Sequence, residues 1–185
     1  MSASRAPLLV IGAGVAGLCT ALAAAPRPVV LVNRVGDDAP STGLAQGGIA
    51  AAIDANDSPG QHVHDTLVAG HHENEPAAVD WLCAQAPAAI AWLQRLGLVL
   101  DRDAQGLRLA LEGGHGRPRI VHAGGDATGA ALLDTLRRAV RDSPHLEDWW
   151  EGDVDALLWR AGRIAGARVR LAGGSARVCE DAGAV

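Results

Sequence analysis

The chain has 185 residues, enough for one domain with a sizeable core and below the length at which two independent cores are expected. Its formal net charge is −5, it contains no lysine, and its arginines are scattered, which disfavours nucleic acid because a phosphate backbone requires a basic stripe. Hydrophobic residues make up 49% of the chain, and no segment has the roughly 18 uninterrupted apolar residues of a membrane span.

The first predicted unit is β-α-β. A short apolar run, Leu8–Ile11, predicts a strand, and it is followed by three glycines and an alanine-rich helix that extends to Ala25. Val29–Val32 predicts a second strand. Because both strands are continuously apolar, we expect them to be buried on both faces of a parallel sheet.

The remaining elements predict an α/β fold with a β-meander. The segment Gly36–Gly60 predicts a long loop with a short helix inside it. Helices are predicted at Gln61–Ala69, at Glu75–Leu96 with a kink or split at Pro87 and a C-cap at Gly97, and at Ala127–Arg141. Strands are predicted at Leu98–Leu100, Leu107–Leu111, Val154–Trp159, Ile164–Leu171 and Ala176–Cys179.

The three cysteines, Cys19, Cys83 and Cys179, are odd in number and far apart in the sequence. They have neither the paired spacing of a zinc site nor the pattern of a disulfide framework. A reducing cytoplasm is therefore the predicted location.

The strongest motif is the glycine turn between the first strand and the first helix. Gly12 permits the tight turn, Gly14 lets the backbone approach a pyrophosphate, and Gly17 lets the helix pack closely on the strand. The N–H groups at the helix N-terminus then face the phosphates. This strand–turn–helix context predicts a dinucleotide site, with a purely structural glycine turn as the alternative.

Two further segments suit a polar cofactor. The second strand ends in Asn33 and Arg34 and lacks the acidic residue that usually binds a ribose in NAD sites. Either residue can bind a ribose or a phosphate, or lie on the solvated surface. The segment Ser41–Gly48 combines hydroxyls, an amide and a glycine pair, which suits close contact with a cofactor but also an ordinary loop.

Four motifs in this order, GAGVAGL, STGLAQGGIAA, HVHDTLVAG and EGGHGRPRIVHAGGDATG, resemble the L-aspartate oxidase family. That family belongs to the wider group of succinate dehydrogenase and fumarate reductase flavoproteins. The resemblance implies a Rossmann-like FAD-binding domain, of which residues 1–185 are the N-terminal part. It also implies a capping domain and a helical C-terminal domain elsewhere. The apolar run that begins at Ala184 and Val185 likewise suggests a truncated polypeptide.

The resemblance further implies the residues that bind the cofactor. They are Gly12, Ala13, Gly14, Val15, Ala16 and Gly17 at the pyrophosphate, Arg34 after the second strand, Ser41, Thr42, Gly43, Leu44, Ala45, Gln46, Gly47 and Gly48 along the flavin, and Val154 near the adenine. In the succinate dehydrogenase branch a histidine before AQGG is attached to the flavin. Ser41 stands in that segment in this chain, so we expect non-covalent FAD.

The implied activity is oxidation of L-aspartate to iminoaspartate in de novo NAD synthesis, with oxygen or fumarate as electron acceptor. The resemblance places Glu112 in the active site, where its carboxylate could pair with the substrate ammonium group. A surface glutamate in a glycine turn is the alternative. The alternative functions are a fumarate reductase-like flavoprotein, acting on a dicarboxylate without an amino group, and a non-catalytic nucleotide-binding module.

The sequence leaves the roles of several polar residues near Glu112 open. Arg117 and Arg119 could bind a dicarboxylate or form a solvated rim together with His115 and His122. The pairs His62/His64 and His71/His72 could chelate a metal, but the resemblance accounts for their segment without one, so no metal site is predicted. Asp126 or Thr128 is predicted to cap the helix that follows, and Trp149 and Trp150 to pack in the core or at its rim. The isolated chain is expected to be catalytically inactive.

Overall fold

The structure is a computed structural model that describes residues 6–34, 36 and 41–185. The chain divides into two compact units. The first unit comprises Met1–Thr42 and Leu136–Val185, and the second comprises Gly43–Thr135.

The described residues form both helices and strands. The helices are α1 (Val15–Ala23), α2 (Pro59–Ala69), α3 (Pro76–Arg95) and α4 (Thr128–Arg141). The strands are β1 (Leu8–Ile11), β2 (Val29–Asn33), β3 (Ile49–Ala50), β4 (Arg102–Asp103), β5 (Gly106–Leu107), β6 (Leu109–Ala110), β7 (Ile120–Val121), β8 (Leu146–Arg160), β9 (Arg163–Leu171) and β10 (Ala176–Cys179). Within these residues, no helix is both long and apolar enough to span a bilayer.

The first unit is built on a five-stranded sheet in the order β1-β2-β8-β9-β10. β1 and β2 pair in parallel, which confirms the predicted β-α-β unit. All four valine and leucine residues of β2 are buried, as expected for a strand covered on both faces. The core cluster lies on this sheet and comprises Leu9, Val30, Val32, Trp150, Ala167, Val169, Cys179 and Ala182.

The long strand β8 begins earlier than the sequence predicts. Its first part, from Leu146 to Glu151, pairs in parallel with β2, and its second part pairs antiparallel with β9. The charged residue Asp148 interrupts the apolar pattern there, but its carboxylate accepts hydrogen bonds from the Trp150 indole and from Arg177, both at 2.6 Å. The indole hydrogen bond is the main reason that the pKa of Asp148 is lowered. One strand therefore completes the parallel sheet and starts the predicted meander.

The second unit contains α2, α3, a β4–β5 hairpin and a three-stranded sheet in the order β3-β7-β6. The predicted strand at Leu98–Leu100 is wrong, because these residues form no ladder and follow the end of α3 directly. Gly97 has a φ of 100° and ends α3 as predicted. Helix α3 continues through Pro87, so the predicted split does not occur.

The predicted short helix within Gly36–Gly60 is absent from the described part of that segment before α2 begins; residues 37–40 lie outside the described residues. The segment contains turns and the short strand β3 instead. Its many glycine, aspartate and serine residues favour turns over helix, which accounts for the difference.

Close packing of α1 on β1 depends on Gly17. A Cβ atom at this position would lie 1.8 Å from the backbone oxygen of Gly12 and 3.3 Å from Cγ1 of Val10. A real Cβ cannot occupy that space, and the backbone oxygen cannot rotate away from it. The third glycine of the turn is therefore required by the packing of the protein itself.

We expect Gly17→Ala to lower the free energy of unfolding by roughly 1–3 kcal/mol, because the added methyl group forces helix and strand apart. The matched control is Gly173→Ala, since a Cβ there meets no atom within 4 Å. Its effect should stay within about 1 kcal/mol. Urea unfolding followed by circular dichroism measures both, and equal losses for the two variants would contradict this packing argument.

Candidate functional site

The glycine turn of the first unit connects β1 to α1. Gly12 has a φ of 104°, in the region that favours glycine, and its N–H donates to the Val32 carbonyl at 2.8 Å. Gly14 is the N-cap of α1 with an extended backbone, φ −80° and ψ −175°. The turn is therefore fixed at one end to β2 and leads directly into the helix.

The N-terminus of α1 is suited to an anion. The first N–H that bonds within the helix is that of Leu18, which donates to the Gly14 carbonyl at 3.0 Å. The N–H groups of the turn before Leu18 therefore have no helical partner. One of them, from Val15, donates to the hydroxyl of Thr42 at 3.2 Å. The first turn contains no acidic residue that would repel a phosphate.

Space beside this turn is not filled by the first unit itself. A Cβ added at Gly12 would meet no atom within 4 Å, and one added at Gly14 would lie 3.6 Å from the Thr42 hydroxyl. Ile11 and Val15 flank the turn and are exposed, although both are apolar. Uncovered N–H groups beside open space fit a pyrophosphate, so the residues present are compatible with a dinucleotide.

Other predicted cofactor residues of the first unit lie at strand ends. Asn33 ends β2 and is half-buried, and Arg34 follows it and is exposed. Val154 lies in β8 opposite Val169 and packs against the core cluster. Ser41 is exposed and directly precedes Thr42, the partner of the α1 N-terminus.

The segment Gly43–Gly48 belongs to the second unit. Most of it is exposed, including Leu44 and Gln46. The Ala45 carbonyl accepts the Gly129 N–H at 3.0 Å. Gly48 lies close to β7, because a Cβ there would be 2.3 Å from Cγ2 of Ile120 and 2.9 Å from Nε2 of a nearby histidine, His122. Packing against β7 therefore requires a glycine at position 48, the second residue of the Gly47–Gly48 pair.

Glu112 lies beside His122 in the second unit. Glu112 comes after β6 and His122 directly follows β7, the antiparallel partner of β6. The Oε1 atom of Glu112 is 3.4 Å from Nε2 of His122, and the two side chains are 49% and 21% exposed. The His115 N–H donates to the Glu112 carbonyl at 3.2 Å, which closes the turn. Glu112 thus has an accessible carboxylate held next to an imidazole.

Arg119 is neither a substrate ligand nor part of a solvated rim. Its side chain is completely buried. The guanidinium binds both oxygens of Asp57, at 2.8 and 2.9 Å, and Oδ2 of Asp65 at 2.6 Å. These bonds raise the pKa of Arg119, and the bond to Asp57 contributes most. The same bond is the main cause of the lowered pKa of Asp57. The sequence did not reveal this role, because the partners lie 62 and 54 residues away along the chain.

The buried ion pair also fixes the loop after Glu112. Asp65 accepts the Gly116 N–H at 2.7 Å, and this bond is the main cause of its lowered pKa. Nδ1 of His115 lies 3.2 Å from the Arg119 guanidinium. Arg117 is exposed, and its Nε donates to Gln61 at 3.3 Å. Of the four groups left open, only His122 contacts Glu112 through its side chain.

The structure also shows where the remaining polar residues singled out in the sequence lie. Thr128 begins α4, but its hydroxyl accepts the Ala123 N–H and donates to the Gly125 carbonyl, so it ties the preceding turn together. Within the described residues, no three His, Cys, Asp or Glu side chains are grouped as a metal site. His62 is buried, and burial is the main reason that its pKa is lowered.

Residues 8–185 match a family model described as an FAD binding domain. The chain belongs to that family. The match covers most of the chain and confirms the prediction of an FAD-binding domain with FAD as its cofactor.

Curated relatives are L-aspartate oxidases. That of Mesorhizobium japonicum is 48% identical over 136 residues, which cover 72% of this chain and 26% of the relative. That of Agrobacterium fabrum is 42% identical over 161 residues, 85% of this chain and 31% of the relative. The chain therefore spans less than a third of the length of either relative.

Solved structures with the same fold include the Sdh1 complex of Mycobacterium smegmatis in the apo form, with a TM-score of 0.85 and 27% identity over 98% of this chain and 34% of that one. A quinol fumarate reductase of E. coli has a TM-score of 0.81 and 30% identity over 89% of this chain and 29% of that one. These similarities confirm the predicted α/β fold with its parallel sheet, flanking helices and meander.

We expect Arg119→Met to lower the free energy of unfolding by roughly 3–5 kcal/mol, because it leaves the buried carboxylate of Asp57 and the partly buried carboxylate of Asp65 without a counter-charge. The matched control is Arg168→Met. Arg168 also binds an aspartate through Nε at 2.8 Å, Asp155, but its side chain is 52% exposed. That substitution should lower the free energy of unfolding far less than Arg119→Met does, because an exposed ion pair contributes little to stability.

The same variants have a predicted pH dependence. Carboxyl groups whose pKa is lowered by folding stabilise the protein above their ordinary pKa, and this contribution is lost as the pH falls through the lowered value. Asp57 and Asp65 should therefore make the parent protein less stable below about pH 4. Urea unfolding at a series of pH values tests this, and a parent and an Arg119→Met variant with identical acid profiles would contradict it.

Proposed function

We propose that this chain is the N-terminal part of an FAD-dependent L-aspartate oxidase, which converts L-aspartate to iminoaspartate in de novo NAD biosynthesis. The observation that carries the proposal is the accessible carboxylate of Glu112, which follows β6 and precedes a double-glycine turn. The curated relatives, 42% and 48% identical to this chain, support it. Three free cysteines, each at least half-buried, are compatible with the proposed cytoplasmic location.

The N-terminus of α1 would hold the FAD pyrophosphate through Gly12, Ala13, Gly14, Val15, Ala16 and Gly17. Arg34 would bind the adenosine side, Val154 would lie near the adenine, and the segment Ser41–Gly48 would follow the flavin. Ser41 offers no imidazole for a covalent link, so the FAD is proposed to be non-covalent. When bound, FAD would supply the acceptor for the hydride from the substrate Cα, with oxygen or fumarate as the final electron acceptor.

Glu112 would bind the substrate rather than react with it. An ionised carboxylate forms a charge-assisted hydrogen bond with an ammonium group, and such bonds are about twice as strong as neutral ones. L-Aspartate carries this ammonium group, whereas succinate and fumarate do not. Glu112 would therefore select an amino dicarboxylate.

A fumarate reductase-like activity is the second candidate. It is favoured by the 30% identity to a quinol fumarate reductase over 89% of this chain. That reaction uses a dicarboxylate without an amino group, so an ammonium-binding carboxylate has no role in it. The response of the two reactions to a change at Glu112 separates the candidates.

Gly14→Ala tests cofactor binding without disturbing the helix. The φ of −80° suits any residue, and the added Cβ fits the protein at 3.6 Å from Thr42. Apo-protein stability should change by about 1 kcal/mol or less. The Kd for FAD should rise roughly tenfold or more, because the methyl group occupies the approach to the pyrophosphate.

FAD affinity is measured on the full-length polypeptide by quenching of flavin fluorescence, with Gly173→Ala as the control that leaves affinity unchanged. Unaltered FAD affinity in Gly14→Ala, with apo-protein stability preserved, would argue against a pyrophosphate at this turn.

Glu112→Gln tests the substrate. We expect kcat/KM for L-aspartate to fall roughly 10- to 100-fold in the full-length polypeptide, because the amide keeps the shape but loses the charge. Fumarate reduction should change little. Similar losses in both reactions, or a loss confined to fumarate reduction, would favour the fumarate reductase-like candidate.

A further inference from the structure

The imidazole of His122 lies beside the Glu112 carboxylate. We infer that His122 is a positioning residue that holds the Glu112 carboxylate in place for an ammonium group and so contributes to substrate selection. This inference rests on the proposed function. Its physical basis is the 3.4 Å contact between Nε2 and Oε1, together with the unequal exposure of the two side chains.

The imidazole is the less exposed member of the pair, and the backbone of His122 is held by hydrogen bonds. His122 directly follows β7, and both residues of that strand, Ile120 and Val121, are buried. The carbonyl of His122 accepts the Asp101 N–H at 2.8 Å. The Asp101 carboxylate in turn accepts the N–H groups of Gly124 and Gly125, at 2.9 and 3.0 Å. These hydrogen bonds also lower the pKa of Asp101, that of Gly125 being the main cause. The backbone on both sides of His122 is therefore restrained.

Gly48, the second residue of the Gly47–Gly48 pair, leaves room for the imidazole ring of His122. A Cβ at Gly48 would lie 2.9 Å from Nε2 of His122. Glycine at this position therefore lets the imidazole lie against the segment proposed to follow the flavin. His122 also lines a cavity of about 210 Å³ with Asp101, Arg108, Ala110, Gly125 and Asp126. The Glu112 side chain is itself 49% exposed.

Glu112 is the more exposed member of the pair, with 49% of its side chain accessible. A half-exposed glutamate has several rotamers, and ordering it on ligand binding reduces affinity. At 3.4 Å the contact is slightly longer than an ordinary hydrogen bond, and such contacts commonly shorten when a ligand binds. An Nε2–H that donates to Oε1 leaves Oε2 free. His122 would thereby orient one carboxylate oxygen toward the ammonium group without contacting the substrate itself.

The test compares His122→Leu with His122→Gln in the FAD-loaded full-length polypeptide. Leucine removes the donor, whereas glutamine keeps an N–H at a similar reach. The readout is the Kd of L-aspartate and of succinate, measured by perturbation of the flavin absorption spectrum. His64→Leu, an exposed histidine on α2, is the control for replacing an imidazole by an apolar group.

We expect His122→Leu to weaken L-aspartate binding roughly tenfold and succinate binding less than about twofold, and His122→Gln to restore most of the loss. Equal weakening of both ligands, or no weakening of L-aspartate binding, would overturn the inference. Glu112→Gln is measured in parallel: if it is selective for L-aspartate while His122→Leu is not, only the role of His122 fails. If neither is selective, the proposed function fails as well.

Discussion

The contact between Gly17 of α1 and the backbone oxygen of Gly12 is the constraint on which the first unit depends. It sets the distance between helix and strand, since a Cβ at Gly17 would lie only 1.8 Å from that oxygen. Because the helix lies this close to the strand, the N-terminus of α1 lies near the end of β1. The same turn is held to β2 through the Gly12 N–H. One packing requirement therefore places a set of uncovered N–H groups at the edge of the parallel sheet, where an anion can bind.

The second unit depends on a different interaction, the buried guanidinium of Arg119. A completely buried charge is tolerated only when it is paired, and Asp57 and Asp65 together supply that pairing. Asp65 also holds the Gly116 N–H, so the ion pairs restrain the loop that follows Glu112. The loop that follows the exposed Glu112 is thus anchored to the buried Arg119 through Asp65.

Local sequence patterns predicted the parts of the fold that depend on neighbours in the chain. The glycine spacing and the apolar run of β2 were enough for the β-α-β unit. The first part of β8 was missed because Asp148 breaks the apolar pattern, and the groups that satisfy its charge become apparent only in three dimensions. Arg119 was misjudged for the same reason, since a charged residue next to Pro118 gives no sign of its distant carboxylate partners. The resemblance to L-aspartate oxidases predicts Glu112 as a site residue, and this stays a prediction, whereas its contact with His122 became apparent only in the structure.

We propose that the N-terminus of α1 holds the pyrophosphate of FAD. Hydrogen exchange followed by mass spectrometry tests it most directly, on the full-length polypeptide with and without FAD. We expect the amides of Gly14, Ala16 and Gly17, which have neither a helical partner nor the Thr42 bond of Val15, to exchange rapidly in the apo-protein and slowly once FAD is bound. Stoichiometric FAD binding with unchanged exchange at these amides would contradict it.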